Sequence, residues 1–230
     1  MSAHHQGGSG SKGATSLGWL LERAQLPKEA SPFVAQATDG ASLVQLLLDA
    51  GRIPDALRVV ATALPPREGV WWAWTAARHA SQVGAEAATP AVTEALAATE
   101  HWVKNPEDGP RRAAWAASER AGLDTPAGCA AAAPFFAAGS VASPEIAVIP
   151  APPGLYSAMI ATAVTLASVA EPDRFDAVAG AFIAQGLEVV RGLGGWERSA
   201  ELARQYVDAQ QVQYEKVMPP PAPAAGAPPS

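Results

Sequence analysis

The sequence predicts an all-α protein, a single-domain helical bundle of about eight to ten helices with disordered N- and C-terminal tails. Three observations predict it. Helix-opening pairs recur along the chain, with Pro after Ser31, Thr89, Gly109, Thr125 and Glu171. Val and Ile rarely alternate with polar residues at the two-residue period of a strand. Apolar residues make up 49% and charged residues 17% of 230 residues, enough for one sizeable core in a single domain.

In chain order, residues 1–15 are polar and Gly/Ser-rich and read as a tail, with no apolar run of the kind a secretory signal carries. The helical domain is expected over 16–218. Ser16–Ala24 is a short apolar helix with Trp19, and Ser31-Pro32 opens the next. Ala41–Ala50 stops at Gly51. Pro54–Leu64 puts Leu57, Val60, Ala61 and Leu64 on one face. Pro66–Val83 is the most aromatic helix. From Pro90 to about Lys104, a helix buries Val92, Leu96, Thr99 and Val103. Another runs from Pro110 to Gly122. An Ala-rich helix opens at Pro126 and is expected to bend or stop at Pro134.

Gly139–Gly154 carries Pro144, Pro150, Pro152 and Pro153 and reads as a long irregular connection. Leu155–Ala170 is helical. It is shorter than the roughly 20 apolar residues a membrane span needs, so it reads as a buried helix. The next helix starts at Pro172, with Phe175, Val178 and Phe182 on one face, and breaks at Gly192, Gly194 and Gly195. Glu197–Met218 is a last amphipathic helix, with Leu202, Tyr206 and Tyr214 near its inner face. Residues 219–230 are a Pro/Ala tail. The helix pairs between Ala41 and Leu123 show no fixed period, which favours a bundle over a solenoid.

The formal charge of -6 argues against nucleic acid or an anionic membrane as partner, and Arg111-Arg112 is the densest basic spot. The single cysteine, Cys129, lies in an Ala-rich run and reads as a small buried hydrophobe. A thiol nucleophile would want a nearby His or cation. No metal or cofactor is expected. His4 and His5 fall in the tail, and neither His79 nor His101 has a second His or a Cys at ligand spacing. The Gly/Ser run with Lys12 lacks the spacing, strand and Ser/Thr of a phosphate loop. Glu107 and Asp108 read as helix-start charges, as do Asp173 and Asp176.

Tryptophan is the unusual feature, with seven in the chain and three of them in Val70–Trp74. At 100° per residue, Val70, Trp74 and Ala77 share a face with Trp71 at its edge. Trp72 points nearly the opposite way and stacks above His79. A helix apolar on both sides is usually sandwiched in a core. The sharper alternative is that Trp72 and His79, with Trp71, reach a groove and anchor a partner, since Trp is enriched at interface hot spots.

The segment Leu64-Pro65-Pro66-Arg67-Glu68-Gly69-Val70-Trp71-Trp72-Ala73 resembles the L-P-x-R-E-x-V-W-W-A segment of an uncharacterised bacterial family. Glu100-His101-Trp102-Val103 with Arg111–Ala117 is similar to a later helix pair of that family. Gly139-Ser140 with Pro150–Pro153 is similar to its Pro-rich connection. The resemblance covers roughly residues 40–196. It implies a domain of unknown function, with genes near type VI secretion or effector genes and no catalytic residues to transfer.

The expected function is a non-enzymatic helical adaptor or accessory domain in the cytoplasm, possessing a protein partner in a bacterial secretion or effector system. Its oligomeric state is left open. Two rivals stand beside it. One is an immunity-like protein whose acidic surface occludes a cognate toxin. The other is an enzyme whose site is assembled from His79 or His101 with Glu68 or Glu100.

Overall fold

In the computed structural model of the chain, residues 9–83, 89–143, 145 and 148–217 are described, with side chains from residue 17 onward. The tails expected at 1–8 and 219–230 lie outside these residues, as does Met218. Ser9–Thr15, expected as tail, instead falls in the first helix, where no proline interrupts propagation.

Eleven α-helices and two 3-10 turns make up the secondary structure of the described residues, with no strand. The helices are α1 (Ser9–Ala24), α2 (Ser31–Gln36), α3 (Gly40–Asp49), α4 (Ile53–Ala63), α5 (Pro66–Val83), α6 (Pro90–Lys104), α7 (Asp108–Ala121), α8 (Pro126–Ala137), α9 (Leu155–Ser168), α10 (Phe175–Gly192) and α11 (Trp196–Val217). The 3-10 turns are Lys28–Ala30 and Pro172–Arg174. The all-α expectation holds, and the brief α2 takes the number of helices just past the expected range.

Local chemistry explains most boundaries. Thr89 and Thr125 cap α6 and α8 by accepting hydrogen bonds from the amides of Val92 and Gly128. Asp39 and Ser42 form a reciprocal capping box at α3. Gly51, Gly122 and Gly194 follow their helices with positive φ.

The centre of the bundle is α8. Its alanines are buried on all sides and let α5, α6, α7 and α9 approach closely. Pro134 does not stop this helix, which continues to Ala137. Burial around the whole turn offsets the hydrogen bond that the proline cannot donate. Around this centre, α9 packs on α5 and α4, and α4 in turn meets α1, α3, α10 and α11. One contiguous apolar cluster draws on α1 and on every helix from α3 to α11. Gly186 of α10 sits where a Cβ would come within 2.7 Å of Val60 and 3.0 Å of Trp72, so glycine is what brings α10 onto α4 and α5.

The connection between α8 and α9 is tied down. Ser140 pairs with Pro150 in an isolated antiparallel bridge, and the Val141 amide donates to Ile149 at 2.7 Å. Arg111, 2% exposed, fastens it from below. Its guanidinium donates to the carbonyls of Phe135 and Ser140 and to Asp108, and lies over the Phe135 ring. Gly139, at φ 67°, lets the chain turn against that guanidinium. Two of the stretches that carry the family resemblance, Arg111 and Gly139-Ser140, therefore meet in one structural fastening. No single described helix is long and apolar enough to cross a membrane.

Candidate functional site

The expected partner-binding residues Trp71, Trp72 and His79 all lie on α5, which leaves Leu64 in extended backbone and starts at Pro66. Gly69, Val70, Trp72, Ala73, Ala76, Ala77 and Ala80 are buried along it against α6, α8, α9 and α10. The helix is thus sandwiched, and only a narrow strip faces solvent.

Trp72 lies wholly inside, with 0% exposure, and its indole Nε1 donates to the Phe182 carbonyl of α10 at 2.9 Å. The expectation that Trp72 reaches a groove to anchor a partner is therefore corrected. Its direction away from Val70 leads into α10, which the helical angle alone could not reveal.

His79 is half-exposed but engaged. Its Nε2 lies 2.9 Å from Glu171 Oε1, and its ring meets Phe182 edge-on at 5.6 Å. Arg174 donates to the other oxygen of Glu171 at 2.7 Å. The hydrogen bond with His79, then the charge of Arg174, holds the Glu171 carboxyl below the ordinary range. This constellation ties α5 to the Pro172–Arg174 turn. Among the described residues His79 pairs with Glu171, and Glu100 with Lys104 at 2.6 Å; no ion pair joins His79 or His101 to Glu68 or Glu100.

Trp71 has the opposite environment. It is 38% exposed and lies at the centre of the solvent strip of α5. Arg67 and Arg78 are exposed beside it, and helical geometry puts all three within an arc of about 40°. Both arginines are oriented. Arg67 donates to the Val103 carbonyl of α6 at 2.8 Å, and the Arg78 guanidinium lies 5.3 Å from the centre of the Trp74 ring. Trp74 is fixed in turn by a 3.0 Å bond from its Nε1 to Leu96 O. The result is an exposed indole and two exposed arginines along one side of a rigid helix. Such a face can take an apolar side chain with carboxylates around it.

Sequence reasoning found Trp71 but missed Arg67, Arg78 and Glu171. The spacing of Arg67 and Arg78 around Trp71 was a readable signal. Glu171 lies far along the chain from His79 and left none. No group of three or more His, Cys, Asp or Glu able to hold a metal occurs among the described residues. Cys129 is 1% exposed, and its thiol donates to Leu123 O.

A family model, described as a family of unknown function (DUF6931), matches residues 43–190, more than half of the chain. The match takes in α5 and the whole Trp71 face. No curated protein and no solved structure matches the chain.

Proposed function

We propose that this chain, which belongs to the family of unknown function DUF6931, is a non-enzymatic protein-interaction module that docks a partner on Trp71. The observation that carries the reading is the exposed indole of Trp71, with Arg67 and Arg78 exposed on the same side of a helix whose other side is buried. Large aromatic and arginine side chains supply most of the binding energy at protein interfaces. A rigid support removes the ordering cost that a mobile loop would carry. The partner segment this face suits presents an apolar side chain flanked by Asp or Glu.

The role we assign is that of a cytoplasmic adaptor or accessory protein. Its motif resemblance leads us to place it in a bacterial secretion or effector system, type VI included. The test begins with the intact chain cross-linked in its native cells, followed by purification of the captured protein. Affinity is then measured between the two purified proteins. A one-to-one complex weakened by at least about thirtyfold in Trp71→Ala, and by charge reversal in Arg67→Glu, supports the reading. A complex with unchanged affinity in Trp71→Ala, or no specific complex at all, overturns it.

A further inference from the structure

A second surface, remote from the Trp71 strip, has different chemistry. Between the last turn of α1, one ridge of α4 and the first turns of α9 lies a groove of about 630 Å³, a size that accommodates a small molecule. We propose that this groove binds a phosphorylated polyol, with its phosphate on Arg23 and Arg58.

Arg23 lines the groove, and its Nε is buried without a hydrogen-bond partner among the described residues. The guanidinium to which it belongs makes no hydrogen bond at that nitrogen, and its terminal nitrogens are donors matched to an anion. Arg58 lines the same groove from α4 and is half-exposed. The carboxylate it faces, Asp55, stands 3.8 Å away and is already held by Arg52 at 2.6 Å. The backbone adds to the same sign. α9 opens on Gly154 with neither a capping side chain nor an acidic residue in its first turn, so no carboxylate offsets the positive end of its dipole, while the Leu155 and Ser157 amides donate to the Pro152 and Gly154 carbonyls. Glu22, exposed at the rim, is the one carboxylate among the groove's lining residues. The groove is thus positive on a chain of formal charge -6.

The rest of the lining specifies what the phosphate is attached to. Thr62 and Ser157 line the groove with hydroxyls whose hydrogens are committed to the carbonyls of Arg58 and Gly154. They can only accept, so they suit a ligand that brings hydroxyl donors. Pro54, Leu155 and Ala158 supply carbon surface for its backbone. Arg23 comes from α1, ahead of the matched family region that starts at residue 43, so this chain's N-terminal helix completes the site.

The test is calorimetric titration of the full chain at constant ionic strength with inorganic phosphate, glucose 6-phosphate and glucose. Saturable binding is expected for both phosphates, tighter for glucose 6-phosphate, and none for glucose. In Arg23→Met and in Arg58→Met the affinity for glucose 6-phosphate falls about tenfold or more. Circular dichroism checks the fold of each variant. If Arg23→Met does not fold, Arg58→Met decides, because its half-exposed side chain is not part of the core. No saturable binding by the wild type, or equal affinity in the folded variants, overturns the site. Glucose 6-phosphate binding no tighter than inorganic phosphate overturns the polyol assignment. The Trp71→Ala variant binds phosphate normally, which separates this site from the interaction face.

Discussion

Trp71 and Trp72 are adjacent and chemically identical, and one helical step of about 100° sends them to opposite environments. Trp72 fills the junction of α5 with α10 at 0% exposure. Replacing it by alanine leaves a cavity and a Phe182 carbonyl without its donor, so Trp72→Ala is expected to cost about 3–5 kcal/mol. Trp71→Ala removes a half-exposed ring and is expected to change stability by no more than about 1 kcal/mol. Urea unfolding followed by circular dichroism separates the two, and equal losses would contradict the assigned environments. Arg111 makes the same point for a charge. Its removal takes the side-chain donor from the Phe135 carbonyl and the closer of two from Ser140, leaving Arg112 at 3.4 Å, so Arg111→Ala is expected to cost about 3 kcal/mol by the same measurement. Sequence periodicity could not assign the tryptophans. Apolar residues lie all around α5, and only the positions of its neighbours decide which side stays wet. The burial of Arg111 was equally hidden, because its carbonyl partners lie far along the chain.

At the scale of elements, the helices were mostly legible because their punctuation is local. The Thr-Pro openings at Pro90 and Pro126 and the stop at Gly51 fall where capping chemistry puts them. The face of α4 was equally legible, with Leu57, Val60, Ala61 and Leu64 all at 0% exposure. Pro134 does not stop α8, because its cost is local while its compensation is tertiary. Gly186 shows a similar override. Alanine is the better helix former by about 1 kcal/mol, yet a Cβ there would come within 2.7 Å of Val60. Gly186→Ala is therefore expected to lower the thermal midpoint, through overpacking worth about 1–3 kcal/mol; a raised midpoint would mean that α10 can shift outward freely. The first turn of α7 carries a pH dependence. Hydrogen bonds from Arg111, then Arg112, hold the Asp108 carboxyl below its ordinary value of 3.8. A depressed acid stabilises the fold fully above that value, and the contribution fades as pH falls through the folded-state value. The stability gap between wild type and Asp108→Asn is thus expected to be constant near neutral pH and to shrink below pH 3.8. Paired urea titrations across the acid range check it, and a gap that widens on acidification would reverse the assignment.

The whole molecule has one built-in reporter of its opening. Cys129 sits in α8, the helix that α5, α6, α7 and α9 surround. Burial, with Asp124 adding to it, pushes its thiol up to about 11, and the thiolate is the reactive form. The sequence correctly cast this residue as a small buried hydrophobe, since alanines surround it on both sides. What the sequence lacked was the position of α8 at the centre of the bundle, which depends on every other helix. That position makes a prediction about cooperativity. If α8 is exposed only when its surrounding helices separate, a disulfide reagent at pH 8 is expected to modify Cys129 at a rate set by the globally unfolded fraction. The free energy of exposure would then fall with urea along the same slope as global unfolding. Arg111→Ala would speed the reaction in proportion to its loss of stability, while Trp71→Ala would leave it nearly unchanged. A rate insensitive to low urea would mean that the first turns of α8 open locally, past the Thr125 cap, and that the centre of the bundle is not its most stable part. Such a result would also move the weak point of the fold to the Gly122–Pro126 corner, where Thr125→Ala would then accelerate labelling more than Arg111→Ala does.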